Sequence, residues 1–169
     1  MNDQITTSLH TGLLIAILGV LTWASGLPAL FPSLGPSAFV LAMFPESEAS
    51  NPKRVIGSHV LGVIAGFLAY HLFAQGIVVT GQIPPFSTVS LRLAVSSVVA
   101  IVLTVVAMLY FGIRHPPACA TTLIVALGLL PTLFDSIIII GAVVIIVGVQ
   151  KLLLRIDQLI RDSTHWSLS

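Results

Sequence analysis

The chain has 169 residues, 56% of them hydrophobic and only 8% charged, with a formal net charge of +1 and a mean hydropathy of +1.08. A water-soluble domain carries about 25% charged residues, so this composition cannot coat a globule in water. The balance also excludes a nucleic-acid binder, which needs a basic stripe, and the single cysteine, Cys119, excludes an intrachain disulfide or a multi-cysteine metal site.

A helical crossing of the bilayer needs about 20 predominantly apolar residues. Four segments meet that length: roughly Leu9–Leu27, Val55–Ile77, Leu91–Ile113 and Ser136–Leu154. Met1–Gln4 holds no Lys or Arg, so the first run reads as a retained helix rather than a signal peptide. Between the first two spans, the stretch from Pro28 to Pro36 is too rich in proline to be helical throughout. After it, Ser37–Phe44 is apolar but short, and Pro45 closes it. Between the last two spans, Pro116 and Pro117 suit a helix start, because the first helical position needs no N–H. A short helix Pro117–Leu130 is predicted there, stopping before Pro131. From Gln150 the tail is amphipathic, with Leu152, Leu153, Ile156, Leu159 and Ile160 on one face and Lys151, Arg155, Asp157, Arg161 and Asp162 on the rest. It reads as an interfacial extension of the last helix, with a contact surface between protomers as the alternative.

The order helix, broken short helix, helix therefore occurs twice. The prediction is an all-α membrane protein with four full transmembrane helices and two proline-broken short helices arranged as an inverted repeat. A single transmembrane domain covers residues 1–169, with repeats at about 8–77 and 88–154 and the tail at about 150–162. If each broken element crosses the membrane, Lys53, Arg54, Arg114, Lys151, Arg155 and Arg161 share one side and Arg92 stands opposite. If each re-enters instead, the basic residues divide between the sides. The first arrangement fits the positive-inside rule, and it predicts cytoplasmic termini in a bacterial inner membrane.

Breaks inside membrane-embedded sequence usually line a polar cavity, because hydrocarbon cannot satisfy their backbone. Paired breaks in corresponding halves point to a transporter's binding site. Gly35-Pro36-Ser37-Ala38 and His115-Pro116-Pro117-Ala118 are such a pair. A helix start offers unpaired N–H groups and a positive dipole end, which favour an anion. Here those groups are expected to be the amides of Ser37, Ala38 and Phe39, and of Ala118, Cys119 and Ala120. Ser37, Thr121 and Thr122 add hydroxyls. His115, beside Arg114, could donate to an anion or take up a proton. His59 lies inside a span, where an ionisable residue usually faces a cavity or a partner. Arg54 and Arg114 would raise the anion concentration at one mouth.

Each feature has a plainer alternative. The prolines could merely kink helices, and His115 could be an interfacial histidine. His71, near Tyr70 and Gln75, reads as structural. Ser58, Gly62 and Gly66 form a small-residue ridge for close helix packing within one protomer. Glu46, Glu48, Asn51, Lys53 and Arg54 read as a solvated loop, and Asp135 as a helix N-cap. No span carries a central carboxylate, which argues against cation transport. No metal-ligand spacing occurs, and no cofactor is predicted. Gly35-Pro36-Ser37 superficially suggests a serine nucleophile with His59 or His115 as base, but an intramembrane protease would need that geometry and an oxyanion hole, and the sequence shows neither.

Taken together, Gly35-Pro36-Ser37-Ala38, the stretch from Asn51 through His59, and Arg114-His115-Pro116-Pro117-Ala118 resemble the HPP family. The similarity runs from the first helix through the fourth. Ser58 and Cys119 depart from it, standing where a glycine and another small residue are expected. The resemblance implies an integral membrane protein with four spanning helices. Cyanobacterial and chloroplast members are similar to nitrite transporters, so it also implies anion transport with nitrite as the leading substrate.

The expected function is transport of a small monovalent anion, not an enzymatic reaction. The expected site is Gly35, Pro36, Ser37, Ala38, His59, His115, Pro116, Pro117, Ala118, Thr121 and Thr122, with Arg54 and Arg114 at the mouth. An anion channel or weak-acid uniporter fits the same residues, and a non-transporting scaffold subunit is the third class. Expected partners are membrane lipid and a second or third copy of the chain, a homo-oligomer (dimer or trimer), since so few helices enclose a pathway poorly.

Overall fold

The computed structural model describes residues 3–79 and 83–166; Met1 and Asn2 lie outside the described residues. It is helical: α1 (Asp3–Ser25), α2 (Leu34–Met43), α3 (Pro52–Ala69, extended by a π-turn Tyr70–Ala74), α4 (Thr88–Tyr110), α5 (Ala118–Ala126) and α6 (Leu133–Trp166). Four stretches are long and apolar enough to span a bilayer: Gln4–Ser25, Pro52–Ala74, Thr88–Tyr110 and Leu133–Arg161. Each predicted span is found, with ends shifted by a few residues.

Local chemistry sets the boundaries. Asn51 caps α3 by accepting from the Lys53 amide at 3.0 Å, and Pro52 fills the first helical position. Ser87 caps α4 through the Ser90 amide at 3.1 Å. At the start of α6 the expected cap shifts by one turn. Thr132 is the N-cap, its hydroxyl accepting from the Asp135 amide at 3.1 Å. Asp135 accepts in return from the Thr132 amide at 3.2 Å, a reciprocal capping box. The predicted helix Pro117–Leu130 is shorter at its far end, because Gly128 adopts φ +72° and terminates it before Pro131 does. The amide of Gly128 donates to the Val125 carbonyl and that of Leu129 to the Ile124 carbonyl, the two bonds of a Schellman ending.

α2 begins at Leu34 rather than at Ser37, so Pro36 lies within its first turn, where proline is tolerated. This displaces the free helix start from the position expected in sequence. The amphipathic tail is continuous with the last span: α6 runs 34 residues, about 50 Å, well beyond a hydrocarbon core of about 30 Å. Within that extension Arg161 pairs with Asp157 at 2.6 Å on the exposed surface.

The main core joins Leu14 and Leu18 of α1, Leu34 and Leu41 of α2, Val55 of α3, and Ile139, Val143 and Ile146 of α6. Outward-facing residues such as Ile64, Leu68, Val98, Val102 and Ile137 are equally apolar. Water would not tolerate that surface, whereas hydrocarbon does. α2 rests on α1 and α6, while α5 rests on α4 and α3, so exchanging the halves maps one set of neighbours onto the other.

Hydrogen bonds place the ends of these helices. At the end of α2 the Val40 carbonyl accepts from Ser50 and the Leu41 carbonyl from Gln150. That end therefore lies with the start of α3. The end of α5 lies at the opposite side, where the Leu127 carbonyl accepts from the Val79 amide beyond α3. The two short helices thus run in opposite senses, each carrying the chain across. Lys53 and Arg54 at the start of α3 share one side with Arg114, because Ser58 donates to the Ile113 carbonyl at 3.0 Å. Lys151 borders the same loop as Glu48 and Pro52. Arg92 is at the far side, its Nε donating to the Phe73 carbonyl at 2.7 Å.

Candidate functional site

The glycines of α3 create the seat for α5. A Cβ on Gly62 would stand 2.8 Å from Thr122 Oγ1 and 3.0 Å from the Ala118 carbonyl oxygen. One on Gly66 would stand 2.8 Å from the Thr122 carbonyl oxygen. The ridge predicted from Ser58, Gly62 and Gly66 is thus an intra-protomer seam, and it draws α5 against the helix that carries His59. On its other flank, α5 is tied to α4: Thr104 and Thr122 share a hydroxyl bond at 2.9 Å, and Ser96 donates to the Ala126 carbonyl at 2.8 Å.

This packing brings four predicted residues from four parts of the chain into one fully buried cluster. Thr121 Oγ1 lies 2.7 Å from His59 Nδ1, and His59 Nε2 lies 3.1 Å from Ser37 Oγ. Ser37 Oγ in turn lies 3.1 Å from His115 Nε2, and His115 Nδ1 lies 2.8 Å from the Ala49 carbonyl oxygen. The two imidazole centroids are 5.5 Å apart. Ser37, His59, His115, Thr121 and Thr122 are each 0% exposed.

The tautomers follow from the partners. A carbonyl only accepts, so His115 Nδ1 carries hydrogen, and neutral His115 Nε2 is satisfied when it accepts from the Ser37 hydroxyl, whose other acceptor in reach is the Ser33 carbonyl at 3.2 Å. Ser37 oxygen then accepts from His59 Nε2–H, and His59 Nδ1 accepts from Thr121. Every bond in the chain points the same way.

The remaining predicted residues divide. Ala38, Pro117 and Ala118 are buried beside the cluster, Gly35 is half-buried, and Pro116 faces outward, as does Pro36. Arg114 is exposed. Arg54 pairs with Glu48 at 2.6 Å, so its charge is offset at the mouth where an anion would enter.

The expected free amides are occupied. Those of Ala118, Cys119 and Ala120 donate to the carbonyls of His115, Pro116 and Pro117 at 3.0–3.1 Å. In the first half, helical geometry from Leu34 puts Ser37, Ala38 and Phe39 past the unpaired first turn, and the Leu34 amide itself donates to Phe31. The site is therefore built from side chains rather than from helix starts.

Two contributors escaped sequence reasoning. Ser33, one turn before Ser37, has a hydroxyl that is buried without a hydrogen-bond partner among the described residues. Its place at an N-cap ahead of an apolar helix was the available signal. Ala49 acts only through its carbonyl, for which a side-chain reading has no signal.

Ser37 beside two imidazoles also has the spacing of a base-activated nucleophile. The amides of Ala118, Cys119 and Ala120 are spent, however, and supply no oxyanion hole. His71 donates to the Phe67 carbonyl at 2.9 Å and stacks on that ring, away from the cluster. Among the described residues no three of His, Cys, Asp and Glu converge as metal ligands.

The family model for the HPP transmembrane region matches residues 1–158. No curated protein and no solved structure matches the chain.

Proposed function

The chain belongs to the HPP family as an integral membrane protein, and from that premise we propose that it transports a small monovalent anion, nitrite foremost, and catalyses no covalent reaction. The observation that carries this reading is the junction of both broken elements at Ser37 and His115, completed by His59 and Thr121 inside the bundle. A transporter needs such a polar site at the interface of its halves. The opposite senses of α2 and α5 fit an inverted repeat. The shared side of Lys53, Arg54, Arg114 and Lys151 fits the cytoplasm under the positive-inside rule, in a bacterial inner membrane.

The imidazole N–H groups and the Ser37, Thr121 and Thr122 hydroxyls, which here bond one another and nearby carbonyls, would turn to the anion and, with the Ser33 hydroxyl, replace its water. Ala38, Pro117 and Ala118 are the small or compact residues buried beside the cluster, while Gly35 and Pro116 belong to the breaks that deliver them. Full burial fits an occluded state between two openings rather than a continuous channel. A homo-oligomer, dimer or trimer, would shield the thin bundle from lipid.

The test is nitrite uptake into proteoliposomes, corrected for protein-free vesicles of the same lipid. Uptake is expected to saturate, and His115→Ala to lower it by more than about tenfold, the loss of a hydrogen bond to a charged group. The reading fails if folded wild-type protein moves none of nitrite, nitrate, formate or chloride.

A further inference from the structure

We infer that Thr121, His59, Ser37 and His115 form a relay holding one proton, so that each monovalent anion crosses with one proton and no net charge. The inference deepens the proposed transport function and rests on it.

The relay follows from the hydrogen bonds. In the neutral cluster, Thr121 donates to His59 Nδ1, His59 Nε2–H to Ser37, Ser37 to His115 Nε2, and His115 Nδ1–H to the Ala49 carbonyl. A proton that arrives at Thr121 Oγ1 displaces the hydroxyl proton onto His59 Nδ1. His59 is then an imidazolium donating from both nitrogens. Ser37 next passes its proton to His115 Nε2 and receives the one on His59 Nε2. The charge now resides on His115, His59 is neutral again, and the hydroxyl of Ser37 points back at His59. One proton has been added, no heavy atom has moved, the three bonds from Thr121 to His115 survive with their direction reversed, and His115 Nδ1–H still donates to the Ala49 carbonyl. Run backwards, the same steps return it.

Charge repulsion, rather than any lack of hydrogen-bond partners at Ser37, limits the cluster to one proton. With both rings charged, the Ser37 oxygen would face two N–H donors, and its own proton would turn to the Ser33 carbonyl at 3.2 Å. Two positive rings 5.5 Å apart, both shut off from water, repel strongly. Among the described residues no carboxylate pairs with either ring. The packed elements contribute Lys53 and Arg54 from α3, Glu48 from the turn before it, Cys119 from α5, Arg114 from the segment before α5, and Lys151 from α6. Arg54 and Glu48 pair with each other, and Arg114 faces outward. A monovalent anion is thus the counter-charge the buried imidazolium lacks.

The experiment counts protons and nitrite entering proteoliposomes together, with an internal pH dye and a potassium–valinomycin voltage clamp, against protein-free vesicles. The expected ratio is about one proton per nitrite, the single charge a buried pair can hold, with a rate that rises as pH falls and ignores the clamped voltage. Ser37→Ala keeps both rings but removes the bridge, and should lower pH-driven uptake by roughly tenfold or more. Thr121→Val interrupts the other end and serves where Ser37→Ala does not fold. Nitrite uptake that carries charge and no proton overturns the relay and leaves anion transport standing. A ratio of two, or undiminished pH-driven uptake in the folded variant, overturns it equally. Absence of any wild-type uptake brings down both readings.

Discussion

The two short helices look alike in sequence but are held differently. α5 is clasped between α3 and α4, with Gly62 and Gly66 admitting its backbone and Thr104 and Ser96 bonded to it. Its first amides are satisfied by the turn at His115–Pro117, and a Schellman ending closes it. α2 has one fully buried hydrogen-bonded hydroxyl, Ser37, and at its N-cap a second buried hydroxyl, Ser33, without a partner among the described residues. Its Gly35 meets nothing within 4 Å of where a Cβ would stand. α5 is thus the more closely clasped wall of the cluster, while α2 is held through its core leucines and by Ser50 and Gln150 at its end.

Three substitutions probe that contrast. Gly66→Val forces a branched side chain into the Thr122 carbonyl, and should cost about 3 kcal/mol through overpacking, read as a large drop in thermal midpoint in detergent. Thr122→Val removes the hydroxyl bond to Thr104 while keeping the volume, for a loss of about 1 kcal/mol. A larger loss would mean that this bond anchors the wall more firmly than its geometry indicates. Gly35→Ala enters open space in a helix, and should leave stability unchanged or raise it by up to about 1 kcal/mol. If Gly35→Ala destabilised the protein as much as Gly66→Val, the proposed asymmetry between the two short helices would be wrong.

Much of this molecule is written in its composition. Twenty-residue apolar runs leave a bilayer helix little alternative, since only closed hydrogen bonding survives in hydrocarbon. The prolines mark where the helices break, because proline lacks a donor and obstructs the preceding turn. Ser37, His59, His115 and Thr121 were legible as polar residues at costly positions, and the glycine ridge as a packing face. Their union was not legible. Ser37 and His115 lie 78 residues apart, and which hydroxyl meets which ring nitrogen depends on how closely α3 and α5 approach.

The first-turn amides show the same limit from the other direction. Sequence spacing marks a helix start but cannot tell whether a preceding turn will fold back and occupy its donors, as His115–Pro117 does for Ala118–Ala120. The cap at Thr132 and the stop at Gly128 also depended on local geometry that a one-residue shift changes. The sequence by itself determined a four-span membrane protein with two broken helices, because hydropathy and proline act locally. Only the tertiary structure decided that its site is a directed chain of side chains, because hydrogen-bond direction is fixed by partners brought together from distant parts of the chain.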